Sequence, residues 1–198
     1  MNNYIIISPA RCGTSWVQDT IQRTLNYTGL PDLILENIDF PELILDATSP
    51  WIAKLFTDEY YKFSVPMEWW CKFATPIFMY RSNILDHFLS FIFATKTSIY
   101  NSTSEQIYPS IKITDKDFVF YKNIWDNFIK IKPYGIILKY ETMQNDICQI
   151  LPNEYDASNF IKLIEYDKKL NLLTSSIKDI ESNLKSITGL KNLENFIW

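Results

Sequence analysis

Residues 8–16 read Ser-Pro-Ala-Arg-Cys-Gly-Thr-Ser-Trp. They follow the short, β-branched run Tyr4 to Ile7 and precede a pattern in which Val17, Ile21 and Leu25 recur every fourth residue. A loop between a strand and a helix presents backbone N–H groups and the positive end of the helix to an anion. Arg11 lies inside this loop, and a planar guanidinium suits the oxygens of phosphate or sulfate better than an ammonium does. The chain holds only three arginines, Arg11, Arg23 and Arg81, and two of them stand just past strand-like runs. The chemistry on offer is the grip of a phosphate or sulfate group and the stabilisation of charge on it.

The nucleotide-binding pattern G-x-x-x-x-G-K-[ST] fits this loop only in part. Gly13 falls on the second glycine and Ser15 on the hydroxyl, but Ser8 falls on the first glycine and Thr14 on the lysine. The cradle is kept while the lysine that reaches the outer phosphates is replaced by an arginine within the turn.

Two further stretches have the same layout. Met79-Tyr80-Arg81-Ser82-Asn83-Ile84-Leu85-Asp86-His87-Phe88-Leu89-Ser90 delivers an arginine and a serine to a strand end, with a second serine about two turns along the next helix. Ile136-Ile137-Leu138-Lys139-Tyr140-Glu141-Thr142-Met143 closes another apolar run with a polar and aromatic cluster. Taken singly, each also reads as an ordinary strand-to-helix junction, and Glu141 is accounted for by its place at a helix start.

The elements that must position these residues follow from the apolar spacing. Strands are expected at 3–8, 51–56, 76–80 and 135–139, and helices at 14–27, 83–95, 115–131, 141–151, 156–165 and 176–187. Residues 28–50 and 97–113 read as irregular, and 57–75 as dense in aromatics. Short apolar strands alternating with helices predict an α/β fold: three layers, a mostly parallel sheet flanked by helices, of the P-loop NTPase kind, in a single domain over 1–198. Ligands of such sheets lie beyond the carboxyl ends of the strands.

Composition narrows the partners. The net charge of −4, without a basic tail, argues against a nucleic-acid partner held by a broad electrostatic face. Cys12, Cys71 and Cys148 are isolated, with neither metal-ligand nor disulfide spacing. No run is long enough for a signal or transmembrane segment, so a soluble protein of a reducing compartment, the cytoplasm, is expected.

Together the three stretches resemble the sulfotransferases that use 3′-phosphoadenosine 5′-phosphosulfate, over roughly residues 4–150. Residues 9–16 look like that family's 5′-phosphosulfate loop, residues 81–90 like its 3′-phosphate site, and residues 140–143 like its late Tyr-Glu-Asp-Leu/Met stretch. The short chain is more similar to compact bacterial and viral members than to the longer animal enzymes. The resemblance implies a transfer of the sulfuryl group to a hydroxyl or amine acceptor (a small molecule, carbohydrate or lipid) without a metal. It implies that Arg11 bridges sulfonate and 5′-phosphate, that Cys12, Gly13, Thr14 and Ser15 contribute to the phosphate loop, and that Trp16 stacks on adenine. Arg81 and Ser90 would take the 3′-phosphate, Tyr140 would border the adenine, and Lys54 would be the strand-borne lysine. Glu36 is favoured as general base over Asp32, Asp58, Glu59 and His87.

The chain departs from the family pattern in four places. The family's arginine falls on Ser82, one residue after Arg81. Cys12 replaces a serine, Phe56 stands where a histidine base is common, and no glycine-and-basic closing loop is found near the C-terminus. Two other readings compete: a P-loop small-molecule or nucleoside kinase, and a nucleotide-binding module that has lost transfer.

Overall fold

A computed structural model describes residues 3–30, 49–57, 70, 72–98, 110–131, 135–151, 173 and 176–186. They fall into two compact units, Met1–Arg81 with Asn127–Asn159, and Ser82–Asp126 with Phe160–Trp198.

The first unit holds a five-stranded sheet: β1 (Tyr4–Ser8), β2 (Thr28–Gly29), β3 (Trp51–Phe56), β4 (Thr75–Tyr80) and β5 (Ile136–Lys139). The spatial order is β2-β3-β1-β4-β5, and every pairing is parallel. Ile5, Ile6 and Ile7 are wholly buried, as are Ile52, Ala53 and Leu55. Such continuous apolar runs are what a parallel sheet covered on both faces demands.

Alternation along the strands assigns the two faces. Ile6 pairs with Lys54 and with Ile77, so these three side chains share a face. Helix α1 (Thr14–Leu25) lies there: Gln18 Nε2 donates to the Leu30 and Ile52 carbonyls at 2.9 and 3.2 Å. Ile7 and Phe78 pair on the opposite face. Phe128, near the end of α3 (Asp115–Lys130), meets Phe78 there with ring centroids 6.5 Å apart. Helix, sheet and helix make the three expected layers.

Two expectations are corrected. The irregular stretch 28–50 begins with β2, whose Thr28 and Gly29 pair with Trp51 and Ile52. The helix expected over 141–151 is shorter: α4 (Met143–Asp146) gives way to a 3₁₀ turn, Ile147–Gln149. There the Ile150 N–H donates to the Ile147 carbonyl at 2.9 Å, the three-residue bond of a 3₁₀ turn, common at helix ends. The helix expected over 156–165 lies outside the described residues.

The second unit contains α2 (Ile84–Thr97), α3 as far as Asp126, and α5 (Ile177–Ser186). The Asn83 side chain caps α2 by accepting the Asp86 N–H at 3.1 Å. The core of this unit is aromatic. Phe88 stacks on Phe118 at 4.9 Å and meets the edge of Tyr121 at 5.0 Å. Ile180 and Leu184 of α5 are buried.

Candidate functional site

Strand order locates the site before any side chain does. The chain leaves β1 toward the β2 edge and leaves β4 toward β5. The reversal lies between the carboxyl ends of β1 and β4, the position at which open parallel sheets bind ligands. The loop 9–13 and Arg81 stand at those two ends.

The loop has an unusual backbone. Arg11 has φ 71° and Gly13 φ 82°, both in the left-handed region. A non-glycine residue held there costs about 1–2 kcal/mol, and such strain gathers at ligand-binding turns. Between them the Cys12 side chain is wholly buried, so it anchors the turn and leaves only its backbone to a ligand. Gly13 is the N-cap of α1 and supplies no side-chain cap to the amides that follow. The first amides of a helix have no intrahelical acceptor, and alternating backbone signs turn neighbouring N–H groups toward a common anion.

Ser15 is exposed in the first turn of α1, and Trp16 beside it is half-buried. Lys54, in the body of β3 and only 8% exposed, donates from Nζ to Ser15 Oγ at 3.4 Å. Thr14 is buried at the start of the helix. The structure therefore joins the loop hydroxyl to the strand lysine, two residues 39 positions apart.

The third stretch closes on the first. A Cβ built on Gly13 would lie 2.9 Å from Met143 Cε and 3.0 Å from Tyr140 Cδ2. With φ at 82° the position favours glycine, and a side chain there would have to displace the Met143 methyl and the edge of the Tyr140 ring. The Tyr140 N–H donates to the Tyr80 carbonyl at 2.8 Å, extending the pairing of β4 and β5 by one residue. Arg81 is 4% exposed and holds its guanidinium carbon 3.5 Å from the centre of the Tyr140 ring. Arg11, Gly13, Ser15, Lys54, Arg81, Tyr140 and Met143 all belong to the sheet-bearing unit.

Ser90 is half-buried on α2 in the second unit. His87 is wholly buried in that unit, with Nδ1 2.7 Å from the Tyr121 hydroxyl and its ring edge-on to Trp125. Phe56, at the position of a common histidine base, ends β3 with no proton-accepting atom. Glu36, Asp32, Asp58 and Glu59 lie outside the described residues, as does most of the aromatic stretch. Trp70 from that stretch is buried.

Sequence reading missed two hydroxyls. Ser8 Oγ and Thr57 Oγ1, at the carboxyl ends of β1 and β3, are buried without a hydrogen-bond partner among the described residues. The Thr57 N–H donates to the Ser8 carbonyl at 3.0 Å. A polar residue closing an apolar run was the available signal. Among the described residues, no group of three His, Cys, Asp or Glu side chains is placed to hold a metal, and no helix is long and apolar enough to cross a membrane.

No protein-family model, no curated protein and no solved structure matches this chain.

Proposed function

We propose that the chain is a sulfotransferase of the P-loop-like kind, moving the sulfuryl group of 3′-phosphoadenosine 5′-phosphosulfate to a hydroxyl or amine acceptor. The observation that carries the reading is the meeting of Lys54 and Ser15 beside a guanidinium-bearing turn at the sheet's reversal point. A nucleotide kinase places a lysine within the loop and a metal on the loop hydroxyl. Here the loop cation is Arg11, Thr14 takes the lysine position, and a strand lysine reaches the hydroxyl.

The chemistry follows from these groups. Sulfuryl transfer, like phosphoryl transfer, is an in-line displacement with charge spread over peripheral oxygens. The acceptor oxygen forms a bond to sulfur as the bond from sulfur to the 5′-phosphate oxygen breaks, and that oxygen leaves with the electron pair. Arg11, Lys54 and the first amides of α1 stabilise the charge it gains. Loss of one such donor commonly costs about 10²–10³ in rate. Trp16 serves the adenine, Arg81 the 3′-phosphate, and Glu36 receives the acceptor proton. The acceptor is a small molecule, carbohydrate or lipid, and the setting is the cytoplasm.

Incubating the protein with the donor and a panel of hydroxyl and amine acceptors tests the reading. Acceptor-dependent release of adenosine 3′,5′-bisphosphate is expected. Release from ATP with Mg²⁺ of a phosphorylated acceptor instead would replace it with a kinase.

A further inference from the structure

The Tyr140 ring stands between two groups suited to anions. One face carries the Arg81 guanidinium, with its carbon 3.5 Å from the ring centre. One edge, at Cδ2, packs against Gly13, the N-cap of the anion turn. The ring is itself fixed at both ends of its residue. Its N–H is tied to the Tyr80 carbonyl at 2.8 Å, and Met143, three residues on, fills the other side of the Gly13 approach. Arg81 is nearly wholly buried, so its position is set by packing rather than by solvent.

We infer that Tyr140 is a positioning residue that holds the Arg81 guanidinium one ring-width from the anion turn, and so selects ligands carrying two anionic groups. The inference rests on the proposed nucleotide reading and alters one part of it. The ring face turned to Arg81 is occupied and cannot also stack on adenine. A guanidinium over an aromatic face is attracted by the ring quadrupole, most strongly where water is excluded. The same pairing orients the planar fork, whose geometry matters for phosphate. Seated 3.5 Å over the ring centre, the guanidinium is held on the face of a ring whose edge packs against the turn.

Calorimetric titration with adenosine 3′,5′-bisphosphate and with adenosine 5′-monophosphate separates this role from a merely structural one. Tyr140→Phe keeps the ring face and should bind both ligands within about twofold of the unsubstituted protein. Tyr140→Leu should weaken the bisphosphate about ten- to thirtyfold while leaving the monophosphate within about threefold. Arg81→Lys keeps the charge, loses the planar fork, and should repeat that selective loss even if the leucine variant does not fold. In an Arg81→Ala background, Tyr140→Leu should cost the bisphosphate nothing further. Equal losses for both ligands, a loss in the phenylalanine variant matching that in leucine, or an unchanged Arg81→Lys would overturn the inference. Failure of the unsubstituted protein to bind the bisphosphate would remove the nucleotide reading and this inference with it.

Discussion

Lys54 Nζ donates to Ser15 Oγ at 3.4 Å, tying the body of β3, which pairs with β1, to the first turn of α1. A lysine that is 8% exposed inside a parallel sheet is costly to keep unless its charge is used. Its Nζ reaches the Ser15 hydroxyl, exposed in the first turn of α1.

Replacing Lys54 by methionine keeps the length of the side chain and removes the charge. A charge-assisted contact is worth about 1.5–3 kcal/mol, so bisphosphate affinity should fall about ten- to a hundredfold. Thermal stability without ligand should hold or rise, since a mostly buried charge is gone. Calorimetric titration and melting curves check the two halves separately, and an unchanged affinity would remove Lys54 from the site.

Gly13→Ala meets two obstacles. The left-handed φ of 82° strains any side chain, and the new Cβ would press on Met143 and Tyr140 at 2.9–3.0 Å. The expected loss is about 1–3 kcal/mol by urea unfolding. Adding Met143→Ala relieves crowding but not the backbone, so it should not restore the original stability.

Ser8→Ala should behave unlike most buried changes. The Ser8 hydroxyl is buried without a partner among the described residues. Removing such a group relieves a desolvation cost of about 1–3 kcal/mol, offset in part by lost contacts. Urea unfolding without ligand should show no loss. A loss above about 1 kcal/mol would mean that the hydroxyl is satisfied in solution.

In the second unit, burial would raise the Asp117 carboxyl, but Lys96 and the Thr114 N–H and hydroxyl outweigh it and hold the carboxyl below its ordinary value. Lys96 Nζ lies 2.7 Å from its Oδ2. A depressed folded pKa contributes stability that is fully present above the ordinary aspartate range and is lost as pH falls through the lowered value. Unfolding of Asp117→Asn should therefore differ from the unsubstituted protein at neutral pH, and the two should converge in acid. A gap that stays constant with pH would contradict the assignment.

Much of the layered fold was legible because its strands are short, apolar and β-branched and its first helix carries a four-residue repeat. β2 was not, since Thr28 and Gly29 have no apolar pattern and gain their structure only by pairing with β3. The shortening of the helix after Tyr140 was hidden for a similar reason: the Ile150 N–H takes the Ile147 carbonyl, three residues back, which spacing does not reveal. The loop at Arg11 stood out from residue types alone. Its closure by Tyr140 and Met143, and the seating of Arg81 on the Tyr140 ring, depend on contacts between residues far apart in the chain. Alternation along β4 gave no answer for Arg81, because the residue lies just past the strand, where the chain no longer alternates.

The account stands on the turn after β1 holding a sulfated nucleotide through its amides and Arg11. The most direct measurement is calorimetric titration of the unsubstituted protein and of Arg11→Ala with adenosine 3′,5′-bisphosphate, run beside ATP with Mg²⁺. The account predicts bisphosphate binding that exceeds ATP binding and falls at least about tenfold in Arg11→Ala. Equal bisphosphate affinity in the two proteins, or tighter binding of ATP with Mg²⁺, would contradict it.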